Sequence, residues 1–439
     1  MIAEKIIQKA CEKVQGAQVT VVTRETSAVD FENNRLKSAE SSQRTKIDLK
    51  VIVEGKVGVS TTTDLGDIDG VIERAVEAAQ FGSKAHFELP EPQKLNPVDI
   101  FDPALLSLEK TEMIHLGNQI MEMIKAYNPE ILAGAQVNKV ITKIHYANSK
   151  GASYAADHTD FYIGAGGNLI RGTDVLFAGN GFGHKKREVD IEEIASKAIE
   201  LFRKAEKIVP VKSGEMPVIF MPEGLLLLLL SLQMATDGKN VLLGASPLRD
   251  KLGEMIADSR LTIVDDPFVQ FGPDTSAFDD EGTMRQITPI IENGVLRNFI
   301  YDRDTAGRAG VKPTGHGSQR HWTNLMINSG ETSYEDMIKG IEHGLLVNDF
   351  LGMGQGNPIN GEFSVNVFLG YKIENGKITG RIKDVMLSGN AFTAFENITA
   401  ISKEREWVVN PYLDFSGFFP YIKVDKLSVT AKASTIDEN

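Results

Sequence analysis

Three distinctive segments lie between residues 264 and 328: Val264-Asp265-Asp266-Pro267, Asp279-Asp280-Glu281-Gly282-Thr283 and Thr314-Gly315-His316-Gly317-Ser318-Gln319-Arg320. Together with His321, they bring clustered carboxylates, two histidines and an arginine into glycine-rich turns. A hydrophobic core holds mainly apolar side chains, whereas carboxylates and imidazoles supply hydrogen bonds and acid–base chemistry. The composition of this stretch therefore predicts a functional site.

A β-hairpin is predicted in the middle of the same stretch. Residues 286–291 and 295–301 are apolar-rich runs joined by Glu292-Asn293-Gly294. Asn-Gly between two such runs is a strong hairpin signal, because both residues tolerate the positive φ of a tight turn. We expect the charged segments to lie at one end of this hairpin.

The length and the spacing of apolar residues predict two domains of the α+β class. A chain of 439 residues exceeds the usual size of a single hydrophobic core. A proline, a glycine and a loss of periodicity near residue 210 divide the chain into an N-terminal α/β domain, 1–210, and a β-rich C-terminal domain, 211–439. Many short strands with few helices predict antiparallel sheets with flanking helices.

The net charge of −13 argues against direct binding of nucleic acid, which requires clustered lysine and arginine. The first residues lack the pattern of a signal peptide, because charged residues interrupt the apolar ones. The most apolar run, 225–230, is far shorter than the roughly 20 residues that cross a membrane. These features predict a cytoplasmic protein without a membrane segment.

The single cysteine, Cys11, excludes an internal disulfide and fits a reducing compartment. It follows Ile6, Ile7 and Ala10 at helical spacing, so it lies on the apolar stripe of a predicted first helix. We therefore expect a buried and inert thiol.

Two segments are dense in glycine: Gly164-Ala165-Gly166-Gly167-Asn168 and Gly179-Asn180-Gly181-Phe182-Gly183. A glycine-rich loop that cradles phosphate would be followed by a lysine and a serine or threonine, and residues 179–183 are not followed by such a pair. Both segments are therefore predicted to be turns.

The sequence contains no standard metal-binding helix. A zinc protease helix needs two histidines on one face and a glutamate beside the first of them. None of the eight histidines is followed by glutamate. Only His316 and His321 are close in sequence, and a spacing of five residues places them on different faces of any helix.

The order and spacing of several motifs resemble those of the TldD/PmbA family. In the C-terminal half these are Asp279-Asp280-Glu281-Gly282-Thr283, Ile291-Glu292-Asn293-Gly294, Thr314-Gly315-His316-Gly317-Ser318-Gln319-Arg320, Gly370-Tyr371-Lys372-Ile373-Glu374-Asn375-Gly376-Lys377-Ile378 and Leu387-Ser388-Gly389-Asn390. Glu54-Gly55-Lys56-Val57-Gly58 and Asn148-Ser149-Lys150-Gly151 extend the resemblance more loosely into the N-terminal half.

The resemblance also indicates which branch of the family the chain joins. The protease branch, TldD, carries His-Glu-x-x-x-His on the helix after the first strand of the C-terminal domain, and a cysteine ligand near the C-terminus. Here Ser231, Leu232 and Thr236 stand at the corresponding positions, and no cysteine follows Cys11. The chain therefore resembles the PmbA (TldE) branch, without a metal or another cofactor, and zinc is expected only in a TldD-like partner.

For function, the resemblance implies a non-catalytic subunit of a TldD-type metalloprotease complex, inactive alone, that processes or degrades unfolded or modified peptides. Its partner would be a TldD-like protease subunit or a second copy of the chain. One alternative is a self-sufficient peptidase or hydrolase that uses Asp279, Asp280, Glu281 and His316. The other is a protein-binding modulator, as in the family's older label of DNA gyrase modulator.

Seven residues are candidates for a peptide groove: Asp279, Asp280, Glu281, Arg285, His316, Arg320 and His321. One carboxyl group among residues 279–281 could have a raised pKa and act as a general acid or base. Alternatively, the three carboxylates cap turns, accept backbone N–H groups and pair with Arg285 or Arg320. The histidines could bond a peptide or hold their own turn. Residues 287–291 and 363–368 are candidate strand edges for pairing with an extended peptide.

Overall fold

The computed structural model describes residues 2–410, 413 and 415–432. The N-terminal half contains α1 (Ile2–Ala10), β1 (Gly16–Glu32), β2 (Arg35–Val53), β3 (Lys56–Thr62), α2 (Ile68–Gln80), α3 (Lys110–Tyr127), β4 (Leu132–Asn148), β5 (Ser153–Arg171), β6 (Asp174–His184) and α4 (Ile191–Ala205). Within the described residues, no helix is both long enough and apolar enough to span a membrane.

The six N-terminal strands form one antiparallel sheet in the order β3-β2-β1-β4-β5-β6. Successive side chains of a strand point to opposite faces. Odd-numbered residues of β1, β4 and β5, such as Val29, Val137 and Ile163, pack against the helices of this half. Even-numbered residues, such as Tyr146 and Tyr154, point to the other face and contact the C-terminal half.

The C-terminal half contains β7 (Gly214–Phe220), α5 (Leu226–Thr236), α6 (Gly238–Leu242), β8 (Ile263–Asp265), β9 (Thr288–Glu292), β10 (Val295–Leu296), α7 (Arg303–Ala309), β11 (Asn324–Ile327), α8 (Tyr334–Lys339), β12 (His343–Leu351), β13 (Gly356–Asn357), β14 (Glu362–Glu374), β15 (Lys377–Arg381), β16 (Val385–Asn390), α9 (Ala391–Glu396), β17 (Ile398–Asn410) and β18 (Phe415–Ala431). Three short 3₁₀ helices, Pro103–Leu105, Glu223–Leu225 and Pro358–Asn360, complete the elements.

A twelve-stranded, mostly antiparallel sheet organises the C-terminal half, in the order β10-β9-β8-β11-β18-β16-β14-β12-β7 with β13, β15 and β17 alongside. A further pairing of β18 with β7 closes five of these strands into a ring. Helix α5 is leucine-rich on every side, and all of its leucines except Leu230 are buried in the large core of this half. A helix that is apolar all round belongs inside a protein rather than on its surface.

The predicted α+β class with antiparallel sheets and flanking helices is confirmed. The predicted hairpin turn is also present, with positive φ at Asn293 and Gly294, although its second strand, β10, ends at Leu296. The division at residue 210 stays a prediction, because side chains of both halves, including Tyr371 and Ile219, share one core with α3 and α4.

Two local predictions are wrong. Cys11 is exposed, because α1 ends at Ala10 and the following turn points its thiol outward. The two candidate strand edges are already paired. Residues 363–368 lie in β14, between β12 and β13 on one side and β15 and β16 on the other. Residues 288–291 lie in β9, which pairs with β8 along one edge; on the other edge β10 pairs with Ile291 and Glu292, and the N–H of Arg297 donates to the carbonyl oxygen of Ile290.

Candidate functional site

The acidic loop, residues 279–283, is held in shape by its first carboxylate. Asp279 Oδ1 accepts the backbone N–H groups of Glu281 at 2.9 Å and Thr283 at 2.8 Å. Its Oδ2 accepts the N–H of Gly317 at 2.8 Å, which ties the loop to the glycine turn, residues 314–320. The predicted alternative in which these carboxylates accept backbone N–H groups is therefore confirmed for Asp279.

Burial raises the pKa of Asp279 to about 6, while the nearby Arg285 guanidinium and the N–H of Thr283 oppose that rise. A carboxyl group with such a pKa could in principle exchange protons near neutral pH. However, both oxygens already accept N–H groups of the protein, and the side chain is buried. The geometry therefore favours a structural role over general acid–base catalysis.

The second carboxylate of the loop completes the link to the glycine turn. Asp280 accepts the backbone N–H of Ser318 at 2.8 Å and the hydroxyl of Ser318 at 2.5 Å. Gly317 has φ +68°, and a Cβ at this position would lie 2.0 Å from Asp280 Oδ1. Only glycine allows so close an approach between loop and turn.

Glu281 joins the two halves of the protein. Its side chain is 3% exposed and forms an ion pair with Lys50 of β2 at 2.9 Å. The other carboxylate oxygen accepts the N–H of Arg303, the first residue of α7, at 2.8 Å. The Tyr146 hydroxyl of β4 donates to the main-chain oxygen of Glu281 at 3.0 Å. Glu281 therefore contacts two residues, Lys50 and Tyr146, that lie more than 130 positions away in the sequence.

The acidic loop lies directly on aromatic side chains of the N-terminal sheet. Gly282 has φ +71°, and a Cβ there would lie 2.3 Å from the Tyr146 ring. The rings of Tyr146 and Tyr154 stack with centroids 5.8 Å apart, and Phe278 packs 5.3 Å from Tyr154. The loop is thus a docking contact that combines an ion pair, hydrogen bonds and aromatic packing.

His316 belongs to a buried chain of polar groups. Its Nε2 lies 3.0 Å from Asp265 Oδ2, and its Nδ1 lies 3.0 Å from Thr314 Oγ1. Asp265 also accepts the N–H and the hydroxyl of Thr323. The Thr314 hydroxyl accepts the N–H of Tyr301 at 2.9 Å and can donate to its carbonyl oxygen.

An aspartate, a histidine and a hydroxyl in series form the arrangement that activates nucleophiles in many hydrolases. Here the side chains of Asp265 and His316 are each 1% exposed, and Thr314 is buried. A substrate carbonyl could not reach the hydroxyl without opening the glycine turn. The chain of groups therefore holds that turn against β8 and β11.

The remaining candidates are Arg285, Arg320 and His321, and both arginines donate hydrogen bonds to groups outside the acidic loop. Arg320 pairs with Asp237 at 2.7 Å and with Asp302 at 2.5 Å, the residues that cap α6 and α7, so its predicted pairing with residues 279–281 is wrong. Arg285 donates to Ser276 Oγ and to the carbonyl of Gly315. His321 is exposed, unlike His316. A peptide groove formed by the seven candidates stays a prediction.

The three positions that correspond to the metal motif lie on α5, inside the core. Ser231, Leu232 and Thr236 are all buried. Leu232 packs among apolar side chains, and the Thr236 hydroxyl donates to the carbonyl oxygen of Leu232 at 2.8 Å. This donor set does not fit a zinc ion, which prefers imidazole, thiolate and carboxylate ligands. Within the described ranges, no three His, Cys, Asp or Glu side chains are grouped to hold a metal.

The structure contains a glycine-floored cavity of about 470 Å³, bounded by β4, β5 and β6 below and by β17 above. Its floor includes the cross-strand row Gly134–Gly166–Gly179 and, beside it, Gly164 and Gly181. The two glycine-dense segments therefore lie within β5 and β6, and the prediction that they form turns is wrong.

Glu223, at the start of the 3₁₀ helix before α5, lines this cavity. Burial raises its pKa to about 7, and the carboxylates of Glu406 and Asp349 add to the effect while Lys197 opposes it. Sequence reasoning missed this residue. The only local signal was a carboxylate beside a run of leucines, which is also common where a helix merely begins.

Comparison with known proteins identifies the fold and the family. Residues 213–431 match the PmbA/TldA metallopeptidase C-terminal domain, and residues 17–79 match PmbA/TldA metallopeptidase domain 1. The crystal structure of TldE from Thermococcus kodakarensis has the same fold, with a TM-score of 0.89 at 23% identity over 98% of this chain and 100% of that one.

Two curated relatives extend the match over nearly the whole sequence. An uncharacterized protein of Methanocaldococcus jannaschii is 26% identical over 429 residues, covering 95% of this chain and 99% of that protein. Metalloprotease PmbA of Escherichia coli O157:H7 is 25% identical over 442 residues, covering 92% of each. With the domain matches and the motif order, these findings show that the chain belongs to the PmbA/TldD family.

Proposed function

We propose that this chain is a metal-free, non-catalytic subunit of a TldD-type metalloprotease complex that processes or degrades unfolded or modified peptides. One observation carries the proposal. At the positions where the metal motif would stand, Leu232 is enclosed in the core and the Thr236 hydroxyl is bonded to its own helix. Leucine cannot take a proton from water, and the two hydroxyl side chains are poor zinc ligands.

The proposed partner is a TldD-like protease subunit that carries the zinc, or a second copy of this chain in a dimer. The chain itself would need no cofactor. The net charge of −13 supports a protein partner and a peptide substrate rather than direct contact with nucleic acid. A cytoplasmic location is part of the same proposal.

Zinc content and peptidase activity test the proposal. The purified chain is measured alone and after mixing with a TldD-like subunit, with an unstructured peptide as substrate. We expect zinc and hydrolysis only in the mixture. Stoichiometric zinc on this chain alone, together with hydrolysis, would contradict the proposal.

Ser231→Ala provides a matched control for the same experiment. This serine would be a ligand if the chain held the metal itself, so its loss would then abolish activity. Under the proposal, the mixture that contains the variant hydrolyses the peptide at a rate within about twofold of the wild-type mixture, because a buried Ser→Ala change at a site without a metal has a modest effect.

The buried Asp265–His316–Thr314 arrangement supports a second candidate, a self-sufficient hydrolase. It requires the glycine turn to open and admit a substrate. Thr314→Val removes the hydroxyl and separates the two candidates. Hydrolysis by the chain alone that disappears in this variant would favour the second candidate.

Recovery of gyrase and no protease subunit in a pull-down would instead favour the modulator alternative.

A further inference from the structure

We infer that the glycine-floored cavity binds a lysine or arginine side chain of an extended peptide, with Glu223 as the carboxylate that receives the cationic group. This inference rests on the proposed function, in which the chain handles unfolded peptides, and it names the class of peptide segment that this subunit recognises.

The floor of the cavity is smooth because its strands carry few side chains. A Cβ at Gly166 would lie 2.7 Å from the carbonyl oxygen of Ala178, and a Cβ at Gly181 would lie 2.5 Å from Tyr162 Oη. Glycine within a strand weakens a sheet and often marks a place where another backbone or a ligand approaches closely. Here the glycines of three adjacent strands are aligned under one cavity, as such an approach requires.

The charges around the cavity select a cation. The lining residues include two charged side chains, Glu32 and Glu223, and both are acidic. Glu32 is more than half exposed and already pairs with Lys37 at 2.5 Å. Glu223 is therefore the acidic group that remains for a ligand.

Apart from its own main-chain N–H, no described residue forms a hydrogen bond or an ion pair with the Glu223 carboxylate. Lys197 acts on it at longer range, but the Lys197 ammonium is bonded to Glu193 and Glu406, each at 3.1 Å. The Glu223 side chain is partly buried, and such a carboxylate gains from an incoming cation because hydrogen bonds between charged groups are stronger than those between neutral ones.

The walls of the cavity suit a peptide rather than a metal ion. A single carboxylate is too few ligands for a hard cation, which takes about six oxygen ligands. Val409 of β17 is partly exposed and offers apolar surface for the aliphatic stem of a lysine. In the part of the chain that the structure describes, residues 405–409 form ladder pairs with β18 along one edge, and an added strand would lie along their other edge.

Apolar residues mark the rim of the same sheet face. Ile170, Val175 and Phe177 lie at the β5–β6 hairpin and are 53%, 55% and 44% exposed. Exposed apolar residues next to a pocket are typical of binding surfaces. Together with Glu223, they indicate a segment that combines a basic residue with apolar neighbours.

The test compares two short labelled peptides that differ at one central residue, lysine in one and its uncharged analogue norleucine in the other. Fluorescence anisotropy with the purified full-length chain measures both affinities. We expect the lysine peptide to bind about tenfold tighter, as a charge-assisted hydrogen bond provides. Glu223→Gln should reduce this ratio to about one, because the charge is gone while the shape is kept.

Glu335→Gln is the matched control, since this glutamate is 80% exposed on α8 and distant in sequence from the cavity lining. It should retain the wild-type ratio. Equal affinities of the two peptides for the wild type, or a ratio that survives in folded Glu223→Gln, would overturn the inference. If Glu223→Gln does not fold, Gln136→Trp provides the test instead. The tryptophan fills the cavity from β4 and should abolish binding of both peptides. Unchanged binding by this variant would overturn the inference.

The two proposals fail separately. If the mixture with a zinc-bearing protease subunit hydrolyses peptide but this chain binds the lysine and norleucine peptides with equal affinity, only this inference is contradicted. A chain that prefers lysine but gives no hydrolysis with a protease subunit contradicts the proposed function.

Discussion

Replacing Glu281 with glutamine tests whether the acidic loop is a docking element or a catalytic cluster. The Glu281 side chain is 3% exposed, and its partner Lys50 is 22% exposed. The glutamine oxygen can still accept the N–H of Arg303, so the variant removes the ion pair and little else. The predicted effect is a loss of stability, with no dependence of peptidase activity on the carboxylate.

The magnitude follows from the exposure of the two partners. Removing one partner of a buried ion pair costs about 3–5 kcal/mol, because the other charge stays buried and uncompensated. The Lys50 ammonium can recover part of its hydration, so we expect Glu281→Gln to cost about 2–3 kcal/mol. Lys50→Met leaves the less exposed Glu281 carboxylate without its cationic partner and should cost about 3–4 kcal/mol. The double variant should cost clearly less than the sum, because the two residues are in contact.

Urea unfolding followed by tryptophan fluorescence measures each free energy of unfolding. Glu292→Gln is the matched control, since Glu292 forms an ion pair with Arg297 on the surface and should change stability by about 0.5 kcal/mol or less. The reasoning is refuted if Glu281→Gln shifts the unfolding midpoint no more than this control. Additive losses in the double variant would equally refute it, because they would mean that Lys50 and Glu281 do not act on one another.

Gly282→Ala should lower the free energy of unfolding by about 2–4 kcal/mol, because its positive φ is strained for alanine and its Cβ would overlap the Tyr146 ring; an unchanged thermal midpoint would exclude this packing. Glu223→Gln should gain stability relative to the wild type as pH rises from 5 to 8, by up to about 3 kcal/mol. The pKa of the folded carboxyl is raised from 4.5 to about 7, so the folded wild type binds the extra proton and loses stability through this range; denaturant curves with a constant difference across pH would contradict it. His316→Phe should cost about 2–4 kcal/mol by leaving Asp265 short of a partner, and calorimetry that finds no loss would count against the buried network.

Local turn chemistry was the most predictable part of the fold. Asn293-Gly294 specified a hairpin turn from two residues, and both have the positive φ that the signal requires. The same rule failed at residues 164–168 and 179–183, where glycine density indicated turns. These glycines lie inside β5 and β6, where a Cβ at Gly166 would overlap Ala178 of the paired strand and a Cβ at Gly181 would overlap Tyr162. A pattern in one segment cannot display such a cause.

The partners of charged side chains were equally hard to predict. The clustering of Asp279, Asp280 and Glu281 correctly indicated carboxylates that cap turns. It could not indicate that Glu281 pairs with Lys50, which is 231 residues away, or that Arg320 turns instead to the caps of two helices. Ion pairs of this kind depend on how the halves dock, so they follow from the tertiary structure and not from spacing along the chain.

The acidic loop and the glycine-floored cavity are parts of one arrangement. Tyr146 of β4 and Tyr154 of β5 are even-numbered, as are Gly134 of β4 and Gly166 of β5, so the period of two along a strand places all four on the same face of the N-terminal sheet. At one end of this face, the acidic loop joins the C-terminal half to the N-terminal sheet through the aromatic rings of Tyr146 and Tyr154. At the other end, the cavity separates that half from the floor. A sheet that carried side chains at both ends would bring the halves into contact along the whole of this face, whereas here the face contacts the C-terminal half at the acidic loop and leaves room beneath β17.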